Sequence, residues 1–272
     1  EAFPDLVRRV KELQGHDRLF MSFSVGADSI AMWLRCLELG GFDPARAVLV
    51  YEWFIPDVPW VEDYLDYFEE KFGVKVIQIP SASFTHEFTG AFLQTPVRAE
   101  ALDLLSRGKL ERPDGKGFME PLPVVERDES APLLMEYTGT QGSLVAVGVK
   151  SGDSAMRRIA MRKTQGVNQR DGKWYPIWDY ELSDVPRIIR RHGVKVPYDY
   201  ELFGISFEND DYRFSRVIKD NCPVTWAKML DFFPGLEMNL TRYEYFNPGV
   251  RPKKGLKIGQ FEGLVLEPRR AY

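Results

Sequence analysis

Three short apolar runs lie within residues 19–79: Leu19-Phe20-Met21-Ser22-Phe23, Ala47-Val48-Leu49-Val50-Tyr51 and Val74-Lys75-Val76-Ile77-Gln78-Ile79. Between them stand two stretches with helical spacing, one from Gly26 to Gly40 and one from Val58 to Phe72. Short apolar runs read as buried strands and the intervening stretches as helices. Strands that alternate with helices form βαβ units, and these build a parallel sheet. Right-handed crossovers then leave a crevice at the carboxyl ends of the strands, where ligands of open α/β sheets bind. Functional residues are therefore expected just after strands.

The same alternation continues along the chain. Leu6, Val7, Val10 and Leu13 recur at helical spacing ahead of the first strand. A strand is expected at Leu144-Val145-Ala146-Val147-Gly148-Val149, a helix from Ser154 to Lys163, and a short strand at Trp174-Tyr175-Pro176-Ile177. Ser183, with Pro186 early in the next run, predicts a serine-capped helix. Residues 81–136 are irregular, with Arg112-Pro113-Asp114-Gly115-Lys116-Gly117 as an exposed loop, and read as an insertion over the site. From about 205 onward Pro223, Pro234, Pro248 and Pro252 break the periodicity, which predicts a helical extension and a basic tail. Two domains are expected: 1–204, which binds the ligand, and 205–272, the extension.

Composition removes several function classes. At 44% hydrophobic and 28% charged residues the chain is of ordinary globular type. Nothing in it predicts a membrane span or an export signal, so no membrane partner and a cytoplasmic location are expected. Two cysteines, Cys36 and Cys222, cannot build a disulfide framework or a four-cysteine zinc or iron–sulfur centre. A net charge of −4 argues against a general nucleic-acid coat. His16 and His192 read as surface or helix-end residues and His86 falls in the irregular region. None has metal-ligand spacing.

The residues that carry chemistry begin at Ser22-Phe23-Ser24-Val25-Gly26-Ala27-Asp28-Ser29, between the first strand and its helix. A strand-to-helix turn presents backbone N–H groups that, with the helix dipole, attract an anion. Gly26 admits a phosphate closely, Ser24 and Ser29 add hydroxyls, and Asp28 could hold magnesium or cap the helix. The loop lacks the lysine and the glycine spacing of the Walker pattern. Residues 150–163 hold Lys150, Arg157, Arg158, Arg162 and Lys163 against Asp153, a net +4. Arginine forks pair with phosphate oxygens, so this cluster suits pyrophosphate or a phosphorylated or sulfonated substrate. Tyr51 and Glu52 end the second strand and should face the same crevice, where Glu52 suits ribose hydroxyls, metal or substrate; the alternative for Glu52 is a surface carboxylate.

Ser24-Val25-Gly26-Ala27-Asp28-Ser29 resembles the S-G-G-x-D-S loop of the PP-loop ATP pyrophosphatase superfamily. Gly148-Val149-Lys150-Ser151-Gly152-Asp153-Ser154-Ala155-Met156-Arg157 resembles the G-x-R-x-x-E-S-x-x-R segment of the phosphoadenosine phosphosulfate (PAPS) reductase-like branch, with Lys150 for arginine and Asp153 for glutamate. Pro176-Ile177-Trp178-Asp179-Tyr180, followed by Ser183-Asp184-Val185, looks like that branch's P-I-x-D-W-x-x-x-D-V stretch. The three matches span residues 19–203. The resemblance implies an adenine nucleotide α-hydrolase-like fold with a five-stranded, mainly parallel, doubly wound sheet and a helical C-terminal extension.

It also implies ATP or a related adenine nucleotide as ligand, with Mg²⁺ and no iron–sulfur cluster. The function implied is an ATP pyrophosphatase or adenylyltransferase that cleaves between the α and β phosphates to activate an acceptor. Lys150, Arg157, Asp153 and Asp179 would be catalytic. Ser22, Ser24, Val25, Gly26, Ala27, Asp28, Ser29, Tyr51, Glu52, Gly148, Arg158 and Arg162 would bind the nucleotide, and Asp28 the metal. Relatives of this kind thiolate transfer RNA, phosphorothioate DNA or make FAD, so the acceptor is a nucleic acid or a small anion. A homodimer and a separate sulfur-donor protein are compatible with it.

The sequence departs from the pattern at two places. The E-C-G-x-H segment that carries the reactive cysteine of PAPS reductases is missing, which argues against PAPS reduction. Cys222, before Pro223, reads as a packing residue. Val25 stands where the loop has its first glycine, which could stiffen it and leave a protein that binds nucleotide without cleaving it. Arg251, Lys253, Lys254, Lys257, Arg269 and Arg270 are the candidates for holding a polynucleotide acceptor.

Overall fold

The computed structural model describes residues 5–81, 130–207, 212–249 and 258–269. The chain enters through α1 (Asp5–Gln14), whose buried face is Leu6, Val7 and Val10. It continues with β1 (Leu19–Ser22), α2 (Ala27–Glu38), β2 (Ala47–Trp53), α3 (Pro59–Phe72) and β3 (Val76–Pro80). After α4 (Ser130–Thr138) come β4 (Val145–Ala146), α5 (Ala155–Thr164), β5 (Val167–Asn168), β6 (Lys173–Trp174) and α6 (Asp184–Arg191). Then follow α7 (Asp199–Phe203), α8 (Tyr212–Asn221), α9 (Pro223–Phe232) and α10 (Leu236–Phe246).

The architecture is the expected mixed α/β one with a mainly parallel sheet. Its strand order is β3-β2-β1-β4-β6-β5. β1 pairs in parallel with β2 on one side and with β4 on the other, and β4 pairs in parallel with β6. The sixth strand, β5, was not expected from the sequence. It pairs antiparallel with β6, Val167 opposite Trp174, after a left-handed Gln165 ends α5 and turns the chain back. The chain leaves β1 toward β2, while β4 lies on the opposite flank of β1. The sheet's topological switch point therefore falls between β1 and β4, where an open α/β sheet offers its ligand crevice.

Two strands are cut to two residues, far short of their apolar runs. Of residues 144–149 only Val145 and Ala146 pair as β4, because Val149 N donates to Val147 O at 2.8 Å and turns the chain out of the ladder. Of residues 174–177 only Trp174 belongs to β6, because Trp178 N closes a turn onto Tyr175 O at 3.1 Å. Ser183 stands at the start of α6 but its hydroxyl makes no capping bond. The carboxylate of Asp184 accepts from Glu181 N instead, at 2.7 Å. Most of the expected insertion, with its loop at 112–117, lies outside the described residues, and its end is the helix α4.

Among the described residues, those within Glu1–Tyr51, Leu65–Ile77 and Asp128–Val196 form one compact unit, and those within Glu52–Tyr64, Gln78–Arg127 and Pro197–Tyr272 a second. In the first, α2 buries Ile30, Ala31, Met32, Trp33 and Leu34. Trp33 meets Phe68 and Phe72 edge-on, at 5.6 and 5.7 Å between ring centroids, and Phe68 lies 4.4 Å from Phe23. α6 packs on α2 through Val185, Ile188 and Ile189. These contacts hold α2 against α6 and against Phe68 and Phe72 of α3. In the second unit α8, α9 and α10 pack together, as the helical C-terminal extension predicts. Its aromatic core includes Phe54 stacked on Phe233 at 5.5 Å and Phe203 against Phe214 at 5.0 Å.

Candidate nucleotide site at the first turn of α2

The candidate site is built on the turn from β1 into α2. Phe23 N still donates to Val50 O, at 2.8 Å, so the ladder runs to the edge of the loop. Ser24 is exposed, Val25 is buried with φ at 64°, and Gly26 is the N-cap of α2. Gly26 has no side chain to cap with, and Ile30 N closes the first helical bond onto Gly26 O at 3.0 Å. The first-turn amides of any helix lack an intrahelical acceptor, and the dipole adds partial positive charge there. The Ser29 hydroxyl turns inward and donates to Gly26 O at 2.8 Å, so it braces the loop.

Gly148, just past β4, rests directly on this turn. A Cβ there would stand 2.8 Å from the carbonyl oxygen of Asp28 and 2.9 Å from the amide of Ser29. Only glycine permits that approach. It delivers the next residues to the site: Lys150 Nζ lies 2.6 Å from Asp28 Oδ2 and 2.8 Å from Asp153 Oδ1. Arg157, one turn into α5, holds the other oxygen of Asp153 at 2.9 Å. Backbone bonds clamp this segment to the third motif, Ser151 N to Trp178 O at 2.9 Å and Gly152 N to Tyr180 O at 3.3 Å. Ser154 caps α5 by accepting from Arg157 N at 3.2 Å.

The electrostatics follow from burial. The Lys150 side chain is 5% exposed, that of Asp153 20% and that of Asp28 40%. Burial raises the Asp28 carboxyl above its ordinary range, and the hydrogen bond and charge of Lys150 only partly offset this. Burial acts the same way on Asp153, but there the hydrogen bonds and charges of Lys150 and Arg157 win and the carboxyl is lowered. For Lys150 burial works against the ammonium, yet its two carboxylate partners outweigh it and the amine is raised. Lys150 therefore stays charged, as a buried lysine must be paired to do.

The expected site residues separate into groups. Asp28, Lys150, Asp153 and Arg157 form one cluster beside Gly26, Ala27, Ser29 and Gly148. Asp179 lies between Trp178 and Tyr180, whose carbonyls accept from Ser151 N and Gly152 N; its Oδ2 is 4.0 Å from Arg35 on α2, and burial raises its carboxyl. Arg158 pairs with Glu181 at 3.7 Å, and Arg162 is exposed on α5. Ser22 is half-buried at the end of β1, Tyr51 is buried in β2 and Glu52 is exposed on it. Of the basic tail only Arg269 is described, its amide donating to Asp63 at 2.6 Å.

Sequence reasoning missed Arg35, which reaches Asp179 and lies 5.6 Å from the centre of the Tyr180 ring. Its signal was its position seven residues after Asp28, two turns along α2. It also missed the ties that hold Glu38 at the end of α2: Arg191 hydrogen-bonds it and His192 Nε2 lies 2.8 Å away. Burial would raise Glu38, but these two partners lower it. Both cysteines are buried, and burial pushes the Cys36 thiol far up.

Among the described residues no group of three or more His, Cys, Asp or Glu side chains could hold a metal. Asp28 already has an ammonium against it. These residues do not fit a resident magnesium ion held by the protein alone.

No protein-family model and no curated protein matches the sequence. Among solved structures, the NH3-dependent NAD synthetase of Campylobacter jejuni, in complex with nitrate, aligns over 92% of this chain and 96% of its own at 12% identity, TM-score 0.41. The glutamine-dependent NAD+ synthetase of Acinetobacter baumannii, in complex with ADP, aligns over 92% of this chain at 14% identity, TM-score 0.37. The chain spans 45% of that second protein. No described helix is long and apolar enough to cross a membrane.

Proposed function

We propose that this protein is an ATP pyrophosphatase of the adenylyl-transferring kind, a PP-loop protein of the PAPS reductase-like branch with the adenine nucleotide α-hydrolase-like fold. The observation that supports it most is the meeting of two segments 122 residues apart in the chain, at one helix start on the sheet's switch point. The nucleotide's β and γ phosphates bind the first turn of α2, with magnesium arriving as part of the metal–nucleotide substrate. An acceptor oxygen attacks the α phosphorus and pyrophosphate leaves. Lys150 and Arg157 supply positive charge as negative charge grows on the departing phosphates, the main electrostatic demand of such transfers. Asp28 and Asp153 orient Lys150. The acceptor is a nucleic acid or a small anion, and the division into a nucleotide-binding part, 1–204, and an extension, 205–272, belongs to the same proposal.

The test is incubation with α-labelled ATP and Mg²⁺, alone and with transfer RNA, DNA or flavin mononucleotide. The expected result is pyrophosphate with AMP or an adenylylated acceptor, lost in Asp28→Ala. Absence of ATP binding overturns the reading. One observation favours a binding module instead: Val25, a β-branched residue at φ 64°, strains and stiffens the loop. Tight ATP binding without turnover, with every acceptor, selects that second reading.

A further inference from the structure

The carboxylates of Asp28 and Asp153 converge on a single ammonium, Lys150 Nζ, at 2.6 and 2.8 Å. In nucleotide-using sites magnesium is commonly held by one or two carboxylates together with substrate phosphates. Here the place such an ion would take between the two carboxylates is filled by the side chain of Lys150, which is 5% exposed. Arg157 adds a second cation against Asp153. Two carboxylates and two cations leave the cluster neutral, so it has no excess negative charge with which to draw in a divalent ion.

We infer that Lys150 is the resident counter-ion of Asp28 and Asp153, keeping divalent cations off both carboxylates until a metal–nucleotide complex binds and its phosphates draw the ammonium away. The first half is a property of the free protein. The second half rests on the proposed nucleotide function. The geometry also assigns Asp28 the role of a positioning residue for Lys150 in the free protein. The clamp from Ser151 and Gly152 to the backbone of Trp178 and Tyr180 holds the loop in place, so that the lysine side chain alone has to move.

Mn²⁺ titrated into the full chain without nucleotide is the probe. The wild type shows no saturable Mn²⁺ binding at millimolar metal. Lys150→Met, which keeps the side chain's bulk and removes its charge, gains Mn²⁺ affinity by about tenfold or more, since affinity follows the charge count of the ligands. Its lowered melting temperature recovers when Mn²⁺ is added, and Asp28→Asn in the same background abolishes the gain. The inference is overturned if Lys150→Met binds Mn²⁺ no better than the wild type. It is equally overturned if the wild type binds Mn²⁺ alone and Asp28→Asn abolishes that binding, a result that needs no lysine variant to fold. ATP titrated into the wild type with and without Mg²⁺ separates the two levels. Failure to bind ATP removes the functional reading and the second half together, while the Mn²⁺ results still decide the first.

Discussion

At residue 25 the backbone runs left-handed, at φ 64°, with a buried valine that is 3% exposed. A Cβ in that region costs about 1–2 kcal/mol. Glycine removes the strain and alanine does not, so Val25→Gly should be more stable than Val25→Ala by about 1 kcal/mol in urea unfolding, although it deletes more side chain. Lys150 gives a second contrast. Lys150→Ala leaves two carboxylates facing each other, a loss of about 2 kcal/mol once the partial exposure of Asp28 is allowed for. Asp28→Asn should stay within about 0.5 kcal/mol of wild type, because burial already disfavours its charge. Asp153 makes stability depend on acid. Its folded carboxyl is lowered, so its contribution is present above the ordinary value of about 3.9 and is lost as pH falls through the lower folded value. The stability gap between wild type and Asp153→Asn should therefore be open at neutral pH and close below about pH 3.9. Asp28, with a raised carboxyl, has the opposite sign and is most favourable in acid.

Among the elements, the join between β4 and α2 depends on Gly148. Gly148→Ala would push a methyl group into the backbone of Asp28 and Ser29, neither of which is a flexible side-chain end. It should cost about 1–3 kcal/mol and weaken ATP binding in the same variant, measured by thermal melting and titration. The strands and helices of residues 5–81 were legible because their apolar periodicity reflects the burial that forms them. The apolar runs at 144–149 and 174–177 overstated their strands, since burial is not pairing: both segments stay close to the core while their backbones turn toward the site. β5 escaped notice because two residues, Val167 and Asn168, carry no period. The cluster was half legible. Asp28, Lys150, Asp153 and Arg157 were named from chemistry and resemblance, but that Lys150 would neutralise Asp28 depends on a contact across 122 residues, for which no local pattern exists.

For the whole molecule, the parallel sheet sets where the two motifs meet. β1 and β4 are neighbours in space though far apart in sequence, and the loops at their carboxyl ends are thereby brought into contact, Gly148 against Asp28 and Ser29. The proposed function requires a polyphosphate to bind where those loops meet, on the first turn of α2. Backbone amide shifts of the isotope-labelled protein, followed while ATP and Mg²⁺ are added, test this most directly. Saturable shifts are expected at Gly26, Ala27, Asp28 and Ser29, with Lys150 moving in the same titration. Shifts that leave residues 24–29 unmoved, or that saturate elsewhere in the chain, would contradict it.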